Sequence, residues 1–254
     1  MRITVCQLAD ERDRFEQEWK ALCAHVRAER SALVLLPELP FARWFPAVRT
    51  FDAQVWQQAV DQHRRWEARL RQLGAPLVVA TRPVERGARR LNEAFLATPL
   101  CTLPIHEKRY LPDEEGFWEA SWYAPGDGIF EPVRADDVVL GVQICTELWT
   151  MDVSRQLGLR GAEVIVVPRA TPASSRARWI VGARAASIIS GAYCVSSNRC
   201  GTSARGEVFG GEGWIVDPDG EVLALTSDAE PFATLDVDLD RARAAKTTYP
   251  RYVR

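Results

Sequence analysis

Apolar residues fall along this chain in short runs that alternate with longer stretches of mixed pattern. Near the start, ITVCQL has the length and β-branched content of a strand. A charged amphipathic stretch follows to Arg30 and predicts a helix. ALVLLPEL predicts a buried strand with Glu38 at its carboxyl end. From about Asp52 to Leu73, Val55, Ala59, Val60, Trp66, Leu70 and Leu73 recur at helical spacing, and Gly74 and Pro76 end the run. APLVVATRPV and the stretch from Leu91 to Ile105 predict strands, and VVLGVQIC predicts another buried strand ending on Cys145. A helix to Arg160, the strand AEVIVVP and a helix capped by Ser174 or Ser175 come next. AYCVSSN, VFGGEGWIVD, EVLALT and FATLDVD complete the strands, two of them joined by the hairpin turn DPDG, Asp217 to Gly220.

This alternation argues an α/β protein with buried sheets, and the consecutive strands of the last third argue antiparallel pairing there. No Pro/Ser-rich linker, repeat or low-complexity tract interrupts residues 1–254, so one domain is expected. Residues 246–254, KTTYPRYVR, lack periodicity and predict a surface arm or a strap between subunits.

Charge excludes some classes. The formal net charge is −2 with both signs interspersed, which gives no global attraction to nucleic acid or to an anionic membrane. No apolar run approaches the roughly 20 residues that cross a bilayer. The N-terminus turns polar too soon for a secretion signal, so a cytoplasmic location is expected. The cysteines at 6, 23, 101, 145, 194 and 200 form no C-x-x-C pair, so zinc-ribbon and redox-motif readings fail. In a reducing compartment they are free thiols. Among the histidines, His25 and His63 lie between charged helical neighbours and are expected to face solvent, which leaves His106. A His-based triad, a papain-like Cys–His site or a His-ligated metal has few places to live. No metal, nucleotide or flavin is implied, because no ligand cluster or Gly-rich phosphate loop occurs, and GGEG at 210–213 is too short for one.

Three reactive residues each follow a predicted buried strand: Glu38 after LVLLP, Lys108 after LPIHE and Cys145 after VVLGVQI. Ligand sites gather at the carboxyl ends of strands in α/β sheets. A thiol is mostly protonated near neutrality, with an unperturbed pKa of about 8.5. A carboxylate can take its proton and an ammonium can face the oxyanion of a tetrahedral intermediate. Each residue alone also fits a bland role: Glu38 as a cap or solvent-facing group, Lys108 as a surface residue in EKR, Cys145 as core packing.

Together they resemble a family. LLPELPF, HEKRYLP and GVQICTELW, the last with Glu147 two positions past the cysteine, resemble the glutamate, lysine and cysteine motifs of the nitrilase superfamily of carbon–nitrogen hydrolases. GAEVIVVP, RWIVGARAAS, SSNRCG and GWIVDPDGEVL extend the likeness from ITVCQL to LDVD. The resemblance implies a four-layer α-β-β-α sandwich with two mixed sheets. It implies Glu38 as general base, Lys108 as oxyanion stabiliser and Cys145 as nucleophile forming a thioester. A second glutamate before a Pro-Gly turn is implied too. Glu119 in FWEASWYAPGD fits it, with Glu114 and Glu115 as competitors. Members commonly pair through helices near the cysteine and the C-terminal segment, so a homodimer is expected. The chain departs from the pattern after FGGEG, where Glu212, Gly213 and Trp214 stand in place of Ser-x-Ile. It also lacks the C-terminal extension of the nitrile-cleaving branch, which favours a small amide or N-carbamoyl substrate over a nitrile. Acyl transfer by the same site, or a non-catalytic binding protein on the same fold, are the alternatives.

Trp122, Thr146 and Trp149 lie close to the candidate catalytic residues and are expected to line the substrate pocket, unless the tryptophans pack a core or an interface. Arg169, with Arg176 and Arg178 nearby, is a candidate to grip a substrate carboxylate. His106, two residues before Lys108, points the same way along a strand and is expected to stand behind the reacting groups.

Overall fold

The computed structural model describes residues 1–253. In chain order the elements are β1 (Arg2–Ala9), α1 (Arg12–Glu29), β2 (Leu33–Leu35), α2 (Ala53–Glu67), β3 (Leu77–Arg86), β4 (Arg89–Ala97) and β5 (Thr102–Glu107). Next come α3 (Glu119–Trp122), β6 (Val133–Ala135), β7 (Val138–Val142), α4 (Met151–Leu159), β8 (Val164–Arg169) and α5 (Arg176–Ser190). The last are β9 (Tyr193–Thr202), β10 (Val208–Gly210), β11 (Trp214–Val216), β12 (Val222–Leu225), β13 (Phe232–Asp236) and α6 (Leu239–Ala245).

Strand β1 belongs to two sheets. Ile3 and Thr4 pair in parallel with β2, whereas Gln7 to Ala9 pair in parallel with β9. The first sheet runs β5-β4-β3-β2-β1, with β13 antiparallel to β1. The second runs β9-β8-β7-β6, with β10 and β11 antiparallel to β9 and β12 closing the DPDG hairpin. Asp217 Oδ1 accepts from the N–H groups of Asp219 and Glu221 in that turn.

Side-chain alternation decides what faces what. Ile3, Val5, Leu33, Leu35 and Val79 of the first sheet share a core with Leu140, Val142, Val164 and Val166 of the second. The opposite face of the first sheet, with Leu8, Val34, Leu36 and Val78, packs on Phe15, Trp19, Leu22 and Val26 of α1. Trp179, Ala183 and Ala186 of α5 cover the second sheet. Helix, sheet, sheet, helix gives the four layers that the resemblance implies. At Gly158 in α4 a Cβ would collide with the Ser190 carbonyl, so glycine lets α4 lie directly on the end of α5. Among the described residues no helix is long and apolar enough to cross a membrane.

Several local expectations are corrected. The predicted helix from Asp52 to Leu73 is α2 plus a separate 3-10 turn, Leu70–Leu73, closed by Gly74 at φ 75°. Ser175 stands at the start of α5, but its hydroxyl donates to Pro172 O and accepts from Trp179 Nε1 instead of capping the helix. Helix α6 was not read from the sequence; Asp238 opens it by accepting from Asp240 N. His63 is buried rather than solvent-facing: its Nδ1 donates to Ala59 O, its ring meets Phe41 edge-on, and burial pulls its pKa down to about 3. His25 is half-buried and hydrogen-bonds Thr234 Oγ1. The C-terminal segment lies against its own chain, where Lys246 Nζ donates to Ser190 O at 2.8 Å and Arg251 bonds Pro218 O. Tyr249, Tyr252 and Val253 remain exposed, and residue 254 lies outside the described residues.

Candidate active site

Three loops at strand ends supply the site. Glu38 follows β2, Lys108 follows β5, and Cys145 follows β7. The Glu38 loop bends through Leu39 at φ 46°, a conformation disfavoured for a branched side chain. Buried Arg199 holds it there, donating to the carbonyls of Glu38 (3.1 Å), Leu39 (2.6 Å) and Ala42 (2.7 Å) while paired with Asp10. Cys145 itself has φ 52° and opens a 3-10 turn, Cys145–Trp149. A reactive residue kept on a strained strand-to-helix turn has its side chain pushed toward the sheet's carboxyl end.

Lys108 Nζ donates to Glu38 Oε1 at 2.7 Å and to Glu119 Oε1 and Oε2 at 2.8 and 2.7 Å. All three residues are buried. Glu114 and Glu115 are exposed, so Glu119 is the second glutamate that the lysine meets. Asn92 Nδ2 donates to Glu38 Oε1 as well, at 2.8 Å. That leaves Glu38 with one oxygen fixed twice over and a second, Oε2, that is buried and unpartnered.

Electrostatics sharpen the picture. Burial opposes the charge on Lys108, but Glu119 and Glu38 outweigh it and drive its pKa above the usual range; it is an ammonium. Burial, then the charge of Glu38, pushes Glu119 up to about 8. Burial pushes the Cys145 thiol well up, Glu38 adds to this, and Lys108 offsets only part of it. At rest Cys145 is a neutral thiol, so its proton would have to leave before the sulfur could act as a nucleophile.

The other expected site residues separate. Thr146 lines a cavity of about 490 Å³ together with Arg109 and Ala120, the residues that directly follow Cys145, Lys108 and Glu119; Tyr110 and Tyr123 add aromatic walls. Trp122 does not reach it. Its ring is wholly buried against Phe45 and Phe51, and Nε1 donates to Val48 O at 2.7 Å. Trp149 is half-exposed and packs on Trp179 of α5. Arg169 lies near the thiol, but Nε, Nη1 and Nη2 donate to Ser196 Oγ, Thr171 Oγ1 and Glu212 O, each at 2.7 Å. Trp214 lies 3.7 Å under its guanidinium, so the departure at Glu212 to Trp214 builds a seat for Arg169 and not a carboxylate grip. Asn92 was not singled out from the sequence; the signal was an amide beside Glu93 in the otherwise apolar run LNEAFLA.

Known proteins resemble this chain in sequence and in fold. The Carbon-nitrogen hydrolase family profile matches residues 2–249. Among curated relatives, the N-carbamoylputrescine amidase of Oryza sativa subsp. japonica is 28% identical over 162 residues, covering 57% of this chain. The match spans 53% of that enzyme, about half its length. Among solved structures, a carbon-nitrogen hydrolase from Helicobacter pylori G27 superposes with a TM-score of 0.86 at 22% identity, covering 99% of this chain and 94% of that one. A mutant of the amidase from Nesterenkonia sp. AN1, bearing acrylamide on its active-site cysteine, superposes at 0.76 with 21% identity, covering 96% and 95%. With a matching profile over nearly all its length, this chain belongs to the carbon-nitrogen hydrolase family.

Proposed function

We propose that the protein is an amidase-type hydrolase that cleaves a small amide or an N-carbamoyl amine through a thioester on Cys145. The observation that carries this is the state of Glu38, with Oε1 anchored by Lys108 and Asn92 and Oε2 buried and free to take a proton. As Cys145 Sγ attacks the carbonyl carbon, the thiol proton passes to Glu38 Oε2. Lys108 and the N–H of Thr146 face the resulting oxyanion. When the carbon–nitrogen bond breaks, Glu38 returns the proton to the leaving ammonia or amine. Water then attacks the thioester, gives a proton to Glu38, and the thiol re-forms as the acid leaves. An N-carbamoyl substrate plus one water yields ammonia, carbon dioxide and the free amine. Glu119 holds Lys108 in place and charged throughout.

A screen of small amides, N-carbamoyl amines and nitriles for ammonia release tests this reading. Turnover is expected for amides or carbamoyl compounds; release from nitriles alone would sink it. The name of the rice relative supports the carbamoyl class, and that of the Nesterenkonia relative supports simple amides.

We also propose that the protein works as a homodimer through α4, α5 and the C-terminal segment. Leu159, Val181, Tyr249 and Tyr252 are exposed there, Val181 at 64%. Light scattering should give twice the 28.5 kDa chain mass. Val181→Asp should shift it toward the monomer; an unchanged dimer would move the interface elsewhere.

A further inference from the structure

Strand pairing does not set the separation of Lys108 and Cys145. Strand β5, which delivers the lysine, is the outer strand of the first sheet, and β7, which delivers the cysteine, lies in the second. A bond across the seam between them has to fix the spacing. Glu147, fully buried two residues past the cysteine, makes it. Its Oε1 accepts from Arg109 N at 2.6 Å, the peptide just after Lys108. Its Oε2 accepts from Ile144 N at 2.7 Å, the peptide just before Cys145. Thr146 Oγ1 adds a bond to Tyr110 O across the same seam.

The carboxylate is itself held by His106, whose Nε2 lies 2.8 Å from Glu147 Oε2. The other ring nitrogen, Nδ1, lies 3.3 Å from Ile129 O, and Phe130 covers the ring at 4.6 Å between centroids. Carboxylate and carbonyl oxygens only accept, so both ring nitrogens face acceptors, an arrangement that favours the doubly protonated ring. Burial opposes that charge, but Glu147 outweighs it, with a smaller contribution from Asp127. The cation also offsets a charge that acts on the site, because Glu147 helps to raise the pKa of Glu119.

We propose that Glu147 and His106 form a brace that fixes Lys108 relative to Cys145, with His106 a positioning residue for the reaction. This rests on the proposed roles of Lys108 and Cys145. A shift of about 1 Å at reacting groups lowers a rate by up to about 100-fold.

The test reads the thiol directly and needs no known substrate. The rate of Cys145 alkylation by iodoacetamide is followed by mass spectrometry in a Cys101→Ser background, since Cys101 is the exposed thiol. His106→Leu should slow alkylation about tenfold or more. His106→Gln, which keeps an N–H within reach of Glu147, should recover most of the rate. Circular dichroism reports folding. Should the leucine variant fail to fold, His106→Asn replaces it; its shorter side chain falls short of Glu147 and should be equally slow. A wild-type rate in the folded leucine or asparagine variant, or a glutamine variant no faster than leucine, overturns the brace. Lys108→Met is the control for the underlying reading. If it too alkylates at the wild-type rate, the Lys108–Cys145 partnership fails; if it is slow while His106→Leu is not, only the brace fails.

Discussion

Cys145→Ala should abolish amide turnover, by roughly 10⁴- to 10⁶-fold, while leaving the protein folded. The size of the effect follows from the chemistry. Without the sulfur no thioester forms, and water would have to attack the amide directly, helped only by Lys108 and the binding pocket. Removal of a nucleophile from a site whose members act as a unit loses nearly all the acceleration that the unit provides. Folding survives because alanine is smaller than cysteine and meets the same strain at φ 52°. Cys194→Ala and Cys200→Ala make the contrast. Both thiols are buried, as Cys145 is, but the charges of Glu38 and Lys108 act on neither of them, so neither is placed to take over from Cys145. Ammonia release and a thermal melt, run on all three variants, check the expectation. Wild-type release from Cys145→Ala would end the catalytic reading.

How much of this was legible in the sequence follows from what each residue's position depends on. Glu38, Lys108 and Cys145 follow strands whose apolar runs are unmistakable, and the carboxyl ends of such strands converge in an α/β fold. Their approach was therefore inferable; the four-layer packing that brings the two sheets together was implied only by the family resemblance, with which the strand alternation agrees. Orientation was not. Trp122 stands three residues from Glu119, yet a single short turn, α3, sends the two side chains in different directions, the glutamate to Lys108 and the indole to Val48 O. Arg169 ends a strand as a ligand-gripping residue would, and only the structure shows that Ser196, Thr171 and Glu212 already engage it. His63 misled for a related reason. Its neighbours in sequence are charged, but three-dimensional packing puts it on the inner face of α2, where a bond to Ala59 O makes a neutral imidazole tolerable. Asn92, Arg199 and the Glu147 seam hold the segments that carry Glu38, Lys108 and Cys145 through contacts between stretches far apart in the chain, and periodicity carries no trace of these.

Lys108→Met should remove turnover and also destabilise the fold, by about 3–5 kcal/mol at neutral pH, because it strips a buried pair of its shared partner. Glu38 and Glu119 both lean on that one ammonium. With it gone, two buried carboxyl groups confront each other, and one of them must take up a proton to stay inside. The pH dependence identifies this cause. Glu119 is already pushed from 4.5 to about 8 with the lysine present, and loss of that cation pushes Glu119 further up. A carboxyl whose folded-state pKa lies above its unfolded value binds more protons when folded, so stability falls as pH rises between those two values. The ammonium, raised above its ordinary range in the wild type, stays protonated throughout that window and contributes no slope there. Glu119 gives that slope in both proteins up to about pH 8, so the gap between wild type and Lys108→Met should hold level from pH 5 to 7 and widen above pH 8, where only the variant keeps losing stability, as read from urea melts. Adding Glu119→Gln should recover part of the stability at pH 8 without recovering turnover, since the amide removes a charge but supplies no cation for the oxyanion. A gap that stays constant from pH 7 to 9.5, or a double variant that hydrolyses amides at the wild-type rate, would show that Lys108 is not the charge on which this site depends.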